Sequence, residues 1–365
     1  MRGFFDHDAV LLAGIPEPDR AAGWLAAGLR VGRAEAGAAD AGLALLEASR
    51  HLEVDPTDTV VVAWDDTFLE AARRHRYATV LDLRQTPWSS LDGAARRRRP
   101  EDLPDALEAR PELEEQLRGR QLAVFLDYDG TLAPIVPHPD RAVLAPGMRE
   151  AVQRLAEGVP VCIVSGRDRP DVARFVDLQH LIYAGSHGFD IRGPDLAREH
   201  PEGAMALPDL DAAERSLEEA LRRVEGAEVE RKRFSVAVHH RRVAEDRVPE
   251  VFRAVDEVLA AHPSLRRSGG KKVIELQPDV DWHKGRAVTW LLEALSLEDA
   301  FALYVGDDRT DEDAFHALEG RGLGILVGLP ARPTAARYRL EDPEAVRRFL
   351  SWLAEAVPTQ RSADT

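Results

Sequence analysis

Apolar residues in this chain fall into two alternating patterns. Short unbroken runs bounded by turn residues read as strands buried on both faces of a parallel sheet. Longer stretches, in which apolar residues return every three or four positions, read as helices with one buried face. Strands are expected at Thr59–Ala63, Tyr77–Leu81, Leu122–Leu126, Val159–Val164, Leu181–Ala184, Ala302–Val305 and Leu323–Val327. Helices are expected at Phe68–His75, at Pro146–Ala156 with a proline at its start, at Pro170–Val176 and at Lys284–Leu295. Asp342 and Pro343 open a last helix as N-cap and first-turn residue, with Val346, Phe349, Leu350 and Leu353 facing inward. Such alternation predicts an α/β fold built on a doubly wound parallel sheet.

Residues 185–280 break the pattern. Asp211–Val224 is an amphipathic helix with Leu217, Ala220, Leu221 and Val224 on one face, and Val248–Ala261 is a second helix. Phe234–His239 alternates like a half-buried strand, and Lys272–Leu276 is another strand. These elements suggest a small α+β layer at 185–280, lodged between segments 121–184 and 281–365 of the main domain. From 91 to 120 the composition shifts to Pro, Arg and Glu, which reads as a linker, with Leu103–Leu117 able to form a helix. Residues 1–90 read as a separate N-terminal α/β domain. Its stretch Phe4–Leu11 parallels Phe125–Leu132, and Val62–Asp66 parallels Tyr304–Asp308, which suggests a truncated, degenerate copy of the core. Ala9 and Val10 replace the Gly and Thr of the later stretch, so this copy is expected to be non-catalytic.

At 365 residues the chain exceeds one ordinary core, and 44% hydrophobic residues suffice for several folded domains. A formal net charge of −16 argues against non-specific binding to nucleic acid or to an anionic membrane. The run Arg96–Arg99 is followed at once by Pro100 and acidic residues and reads as solvated. Cys162 is the single cysteine and lies in an apolar run, as a buried small hydrophobe would. No signal-peptide pattern and no apolar run of bilayer length is present, so a cytoplasmic location is expected.

Chemistry enters at the strand ends. Leu122–Leu126 runs into Asp127-Tyr128-Asp129-Gly130-Thr131, where two carboxylates spaced i, i+2 can face one centre. Ser165 follows the next strand, Lys284 restarts the core after the insert, and Asp307, Asp308 and Asp311 follow the strand Ala302–Val305. Together they are what phosphoryl transfer to a carboxylate requires: an attacking Asp, a hydroxyl and an ammonium for the phosphoryl oxygens, and acids for Mg²⁺. Each piece also has a plain alternative. An Asp-Gly turn, a Ser cap, a solvated lysine and acids at a helix start are all common, and His239 and His240 on an alternating strand suit a structural role.

In their order the motifs DYDGT, SGR, a Lys and GDD-x-x-D resemble the phosphatases of the haloacid-dehalogenase superfamily. GSHG at 185–188, ERKRFSVAVHHR at 230–241, GKKVIELQP at 270–278, WHKG at 282–285 and GDDRTDEDAF at 306–315 are similar to the trehalose-6-phosphate phosphatase family, across about residues 120–355. That resemblance implies a doubly wound core with an inserted cap, and Mg²⁺-dependent hydrolysis of trehalose 6-phosphate to trehalose and phosphate through an aspartyl-phosphate. It implies Asp127 as nucleophile and Asp129 as acid/base. It implies Thr131, Ser165 and Lys284 around the phosphoryl group, beside Gly166 and Arg167. Asp127, the Asp129 carbonyl and Asp307 would hold Mg²⁺, supported by Asp308 and Asp311. His187, Lys232, Arg241, Lys271 and Glu275 match substrate-recognition positions. Gln277 departs from the expected arginine, and Arg233 stands where glycine is commoner.

Two rivals remain at this point. One is another sugar phosphatase, acting on sucrose or mannosylglycerate phosphates. The other is a non-catalytic regulatory partner of a synthase, against which the intact acids and Lys284 speak. Association of an active phosphatase with the trehalose-phosphate synthase also stays open.

Overall fold

The structure, a computed structural model, describes residues 9–13, 30–34, 41–52, 54, 59–63, 65–74, 79–82, 98–136, 141–270, 272–330 and 334–357. The chain forms two compact units. One comprises residues 1–102 with 267–274 and 331–334, and the other comprises the remainder.

The first unit contains β1 (Ala9–Ala13), β2 (Arg30–Ala34), α1 (Ala41–His51), β3 (Thr59–Ala63), α2 (Asp66–Arg74) and β4 (Thr79–Asp82). Its strands form a parallel sheet in the order β2-β1-β3-β4. Leu11, Ala13, Val61 and Ala63 point to one face and pack under Leu45 and Ala48 of α1 and Phe68 and Leu69 of α2. β2 was not apparent in the sequence, because Arg-Val-Gly-Arg-Ala carries no apolar run. Asp6-His7-Asp8 lie outside the described residues, and β1 begins after them, not before. Matching Phe4–Leu11 to Phe125–Leu132 is therefore out of register. By strand ends, the position equivalent to Asp127 is Gly14.

The second unit opens with α3 (Arg110–Leu117), β5 (Leu122–Leu126), α4 (Met148–Ala156), β6 (Val161–Val164), α5 (Arg169–Val176), β7 (Ile182–Gly185), β8 (Asp190–Arg192) and β9 (Ala197–Glu199). Then come α6 (Pro201–Met205), α7 (Leu207–Leu221), β10 (Glu228–Lys232), β11 (Ser235–His239) and α8 (Val248–Ala261), followed by β12 (Leu265–Gly270) and β13 (Val273–Pro278), of which residues 267–274 count with the first unit. The chain returns through α9 (Lys284–Ala294), β14 (Phe301–Gly306), α10 (Arg309–Ala317), β15 (Gly322–Val327), β16 (Tyr338–Leu340) and α11 (Pro343–Ala356).

The core sheet has the order β16-β15-β14-β5-β6-β7-β8-β9. β5 lies between β6 and β14, parallel to both. From it the chain winds first toward β7, and after the insert toward β16. That reversal puts a topological switch point at the carboxyl ends of β5 and β14. Successive residues of β5 face opposite layers: Leu122, Val124 and Leu126 meet α4 and α11, while Ala123 and Phe125 meet α9 and α10. The cap sheet has the order β10-β11-β13-β12, with α7 packed on β10, β11 and α8. No described helix is long and apolar enough to cross a membrane.

Three sequence boundaries move. Residues 103–120, read as the end of a linker, belong to the second unit. Leu103, Ala106 and Leu113 are buried in its core, and Ala106 N–H donates to the Arg339 carbonyl at 2.9 Å. Residues 185–199, assigned to the cap, extend the core sheet through the antiparallel strands β8 and β9. The first cap helix starts at Leu207 rather than Asp211, with Pro208 in its first turn. In addition, β10 went unread: Glu-Val-Glu-Arg-Lys is polar because its pairing with β11, not burial, makes it a strand.

Candidate active site

Val305 pairs with Leu126, and the Asp127 N–H donates to the Val305 carbonyl at 2.9 Å. Adjacent parallel strands in this register end together, which brings Asp127 beside Asp307. Gly130, with φ +78°, makes the approach possible: a Cβ there would lie 2.1 Å from Asp307 Oδ2. Asp311, one turn into α10, completes a group in which Asp127, Asp307 and Asp311 each offer a carboxylate oxygen within 4.8 Å of the others. Such a set of hard oxygen donors could hold a divalent cation.

Lys284 is the first residue of α9 and is buried. Its ammonium donates to Asp127 Oδ1 and to Asp311 Oδ1, each at 2.7 Å. Gly285 lets α9 come this close to α10, since a Cβ there would stand 2.1 Å from the Asp313 carbonyl. Asp311 is held from every side. Oδ1 also accepts the Tyr304 hydroxyl at 2.7 Å, and Oδ2 accepts the Asp308 N–H at 2.9 Å in a capping box at the start of α10.

Burial works against the Lys284 ammonium, but Asp127 and Asp311 outweigh it and hold its pKa above the ordinary range. For Asp127, burial is the largest influence and raises the pKa. Lys284 opposes that shift, Asp311 and Asp307 add to it, and the pKa lies well above the ordinary carboxylate value. Added positive charge among these three carboxylates would favour the ionised Asp127, so the donor set fits a divalent cation. Tyr304 is likewise raised by burial and then by Asp311 and Asp127, so it stays a donor.

Thr131 lies in the turn that follows Asp129 and is fully buried, and its hydroxyl has no hydrogen-bond partner among the described residues. An unpaired buried hydroxyl costs about 1–3 kcal/mol, which a ligand oxygen would relieve. Ser165 is also buried, and its Oγ accepts the Arg167 N–H at 3.1 Å. The Arg167 guanidinium grips Asp129 with two bonds of 2.6 Å while packing over Tyr128 and Phe175. Arg167 therefore orients Asp129 rather than standing as a free anion binder.

Above these groups lie His187, Lys232 and Glu275. Lys232 donates to Glu275 Oε1 at 2.8 Å, and Gln277 donates to Oε2 at 3.0 Å. Burial alone would raise Glu275, but Lys232 and His187 bring its pKa below the usual value. His187 is pushed down to about 4 by burial and by the neighbouring Lys284 and Lys232, which outweigh Glu275, so it is neutral near pH 7. Gly166 makes room for its ring, which a Cβ would meet at 2.8 Å. Ser186 and His187 both adopt left-handed backbone, with φ 49° and 57°. Two such residues in a row cost on the order of 1–3 kcal/mol each. Bonds from Ser186 N–H to the Arg167 carbonyl at 2.7 Å and from His187 N–H to the Ser165 carbonyl at 2.9 Å hold them.

Not every expected residue joins. Arg241 is exposed in the turn beyond β11, at the opposite end of the β10–β11 hairpin from Lys232. Ser235 pairs with Lys232, and six residues at ~3.3 Å each put Arg241 on the order of 15–20 Å away. Lys271 lies outside the described residues. Asp308 is exposed at the start of α10 and is not among the three clustered carboxylates. The Asp129 carboxylate is turned to Arg167. Conversely, sequence reasoning missed Tyr304, Gln277 and Asp168. Tyr304 sits inside an apolar strand, where its hydroxyl gave no signal.

A sequence profile described as trehalose-phosphatase matches residues 125–344. The chain is 39% identical over 321 residues to probable trehalose-phosphate phosphatase D of Arabidopsis thaliana, covering 84% of this chain and 86% of that one. It is 45% identical over 255 residues to trehalose 6-phosphate phosphatase RA3 of Zea mays, covering 65% and 71%. The solved trehalose-6-phosphate phosphatase of Aspergillus fumigatus is similar at TM-score 0.52 and 27% identity, covering 70% of this chain and 99% of that one.

Proposed function

The chain belongs to the trehalose-phosphatase family, and from that premise we propose that it hydrolyses trehalose 6-phosphate to trehalose and inorganic phosphate with Mg²⁺ as cofactor. The observation that carries this reading is the buried Lys284 bridging Asp127 and Asp311 beside Asp307. A regulatory scaffold has no use for a buried ion network of this kind, which is costly unless every member is present.

Asp127 is the nucleophile. Lys284 occupies its Oδ1, and the other oxygen attacks phosphorus. The bond from Asp127 to phosphorus forms as the bond from phosphorus to the sugar oxygen breaks. Asp129, once it turns from the Arg167 guanidinium that holds both of its oxygens, gives a proton to that departing oxygen. Trehalose leaves, and Asp129 then takes a proton from a water that attacks the aspartyl-phosphate. The bond to Asp127 breaks and inorganic phosphate is released. The hydroxyls of Thr131 and Ser165 and the Lys284 ammonium hold the phosphoryl oxygens. Asp127, the Asp129 carbonyl and Asp307 would ligate Mg²⁺, with Asp308 and Asp311 in support, and the ion would neutralise charge on the phosphoryl group.

His187, Lys232 and Glu275 read sugar hydroxyls, as a neutral imidazole, a donor and an acceptor on one surface. The β10–β13 layer together with the His187 loop of the core thus selects the sugar, and the N-terminal sheet takes no part in the chemistry. Phosphate release from trehalose 6-phosphate, sucrose 6-phosphate, mannosylglycerate phosphate and p-nitrophenyl phosphate, each with Mg²⁺ and with EDTA, tests the whole reading. Trehalose 6-phosphate is expected to have the highest kcat/KM, abolished by EDTA. A higher value for another sugar phosphate, or release that survives EDTA, would refute it.

A further inference from the structure

Asp168 follows Ser165-Gly166-Arg167 and stands at the N-cap of α5. An aspartate there ordinarily accepts from the first-turn amides of its own helix. Asp168 makes no such bond. Its Oδ1 instead accepts the Ser186 hydroxyl at 2.7 Å, and its Oδ2 accepts the backbone N–H of Arg233 at 2.9 Å. Ser186 precedes His187 in the left-handed pair of the core loop, and Arg233 follows Lys232 at the turn of the β10–β11 hairpin. One carboxylate, diverted from its local use, therefore joins the two chain segments that carry two of the three proposed sugar-reading side chains.

We propose that Asp168 is a positioning residue that fixes the sugar-reading surface by tying the His187 loop of the core to the Lys232 hairpin of the cap. The inference rests on the assignment of these side chains to sugar recognition. Neighbouring contacts make the same junction. Phe234 stacks on Phe189 with ring centroids 5.2 Å apart, and Arg233 pairs with Glu199 on β9. Those contacts dock the hairpin broadly, however, while Asp168 sets the Ser186 side chain and the Arg233 backbone relative to each other. Its bonds go to Ser186 and Arg233, and none of Asp127, Thr131 and Lys284 bonds its carboxylate.

The test compares two substrates and one amide. In Asp168→Ala, kcat/KM on trehalose 6-phosphate is expected to fall about 10- to 100-fold, chiefly through KM, because small misplacements of recognition groups have effects of that size. Turnover of p-nitrophenyl phosphate should stay within about twofold, since it carries no sugar for these groups to read. Asp168→Asn keeps one acceptor oxygen and should fall between wild type and Asp168→Ala, and Ser186→Ala should show the smaller loss of one bond. These milder variants stand in if the alanine variant does not fold. Hydrogen exchange in ligand-free protein gives an independent arm: the Arg233 amide should lose protection in the Asp168 variants while the Leu126 amide does not. Equal losses on both substrates, an unchanged preference for trehalose 6-phosphate, or an unchanged Arg233 amide would each overturn the proposal. If wild type itself shows no preference for trehalose 6-phosphate, the functional reading fails and takes the selectivity role with it. The exchange arm then still decides whether Asp168 ties the two segments.

Discussion

In the N-terminal sheet and in the core sheet alike the first strand is flanked, in parallel, by the second strand on one side and by a later one on the other: β5 by β6 and β14, β1 by β2 and β3. The later strand in each runs into acids and a helix, Asp307-Asp308 before α10 and Asp65-Asp66 at the start of α2. The two sets of acids are used differently. Asp65 spends its carboxylate locally, with Oδ1 accepting the Thr67 N–H at 2.8 Å. Asp308 and Asp311 cap α10 reciprocally, and Asp307 leans instead toward Gly130. After β5 comes Asp127, and after β1 comes Gly14. Residues 1–90 contain no lysine, so nothing there can play the part of Lys284. The shared winding supplies a place for chemistry, and a buried network of opposite charges is what turns it into a site.

The largest effect should come from removing that network's nucleophile. Asp127→Asn keeps the shape and a hydrogen-bond acceptor but not the attacking charge. Turnover is expected to fall by roughly four orders of magnitude or more with the fold intact. Asp129→Asn should cost about 10²- to 10⁴-fold, the usual range for lost proton transfer. Purified Asp127→Asn protein with substantial single-turnover activity would show that the difference between the two sheets lies elsewhere.

Gly130→Ala probes the cradle rather than the acid. The new Cβ would meet Asp307 Oδ2 at 2.1 Å on a left-handed backbone, so Asp307 must move. Activity titrated with Mg²⁺ should then need about 10- to 100-fold more metal, as when the support of a ligand is lost. An unchanged Mg²⁺ requirement would separate Asp307 from metal binding.

How much of this was legible beforehand obeys the same division. Apolar runs revealed the strands β3, β5, β6, β14 and β15, because strands buried on both faces leave no room for polar residues. β2, β10 and β16 stayed hidden, since each is a short edge strand, paired on one side only, and carries no apolar run. The acids were visible as residue types after strand ends, and Lys284 as the residue that restarts the core after the insert. Lysine is itself a signal here: the chain has only four among its 48 basic residues, at 232, 271, 272 and 284. A compact ammonium is not interchangeable with a guanidinium fork, and Lys284 and Lys232 both sit where a single donor point meets carboxylates. Arg241 misled because a motif fixes spacing along a strand but not which end of the hairpin faces the site. Asp168 and Gln277 act through partners remote in sequence or on other side chains, and no pattern along the chain records that.

Glu275→Ala asks what the core site can do without its reader. The core groups handle any phosphomonoester, so kcat/KM on trehalose 6-phosphate should drop about 10- to 100-fold, the worth of a charge-assisted bond, while p-nitrophenyl phosphate is hardly affected. Removal of Glu275 also leaves Lys232 without its 2.8 Å partner, which belongs to the same loss. Equal losses on both substrates would assign Glu275 to the fold or to the chemistry.

The smallest effect is expected in the other sheet, and it decides whether the comparison is sound. Asp65 stands where Asp307 stands in the catalytic sheet, yet its carboxylate caps its own helix, bonding the Thr67 N–H at 2.8 Å and reaching the Phe68 N–H at 3.4 Å. A cap is worth about 1 kcal/mol. Asp65→Ala should therefore lower the stability of the N-terminal unit by that amount, read as a shift of a few degrees in its melting. Phosphatase activity should stay within about twofold, as for surface changes away from a site. Asp6→Ala with Asp8→Ala should likewise leave turnover in place, because those acids precede β1 instead of ending it. A large loss of turnover from either change, in protein whose catalytic unit still melts normally, would mean that the first sheet contributes to the reaction. The contrast between a capping Asp65 and a site-forming Asp307 would then be wrong, since a carboxylate that caps its own helix through Oδ1 is held in place by that helix.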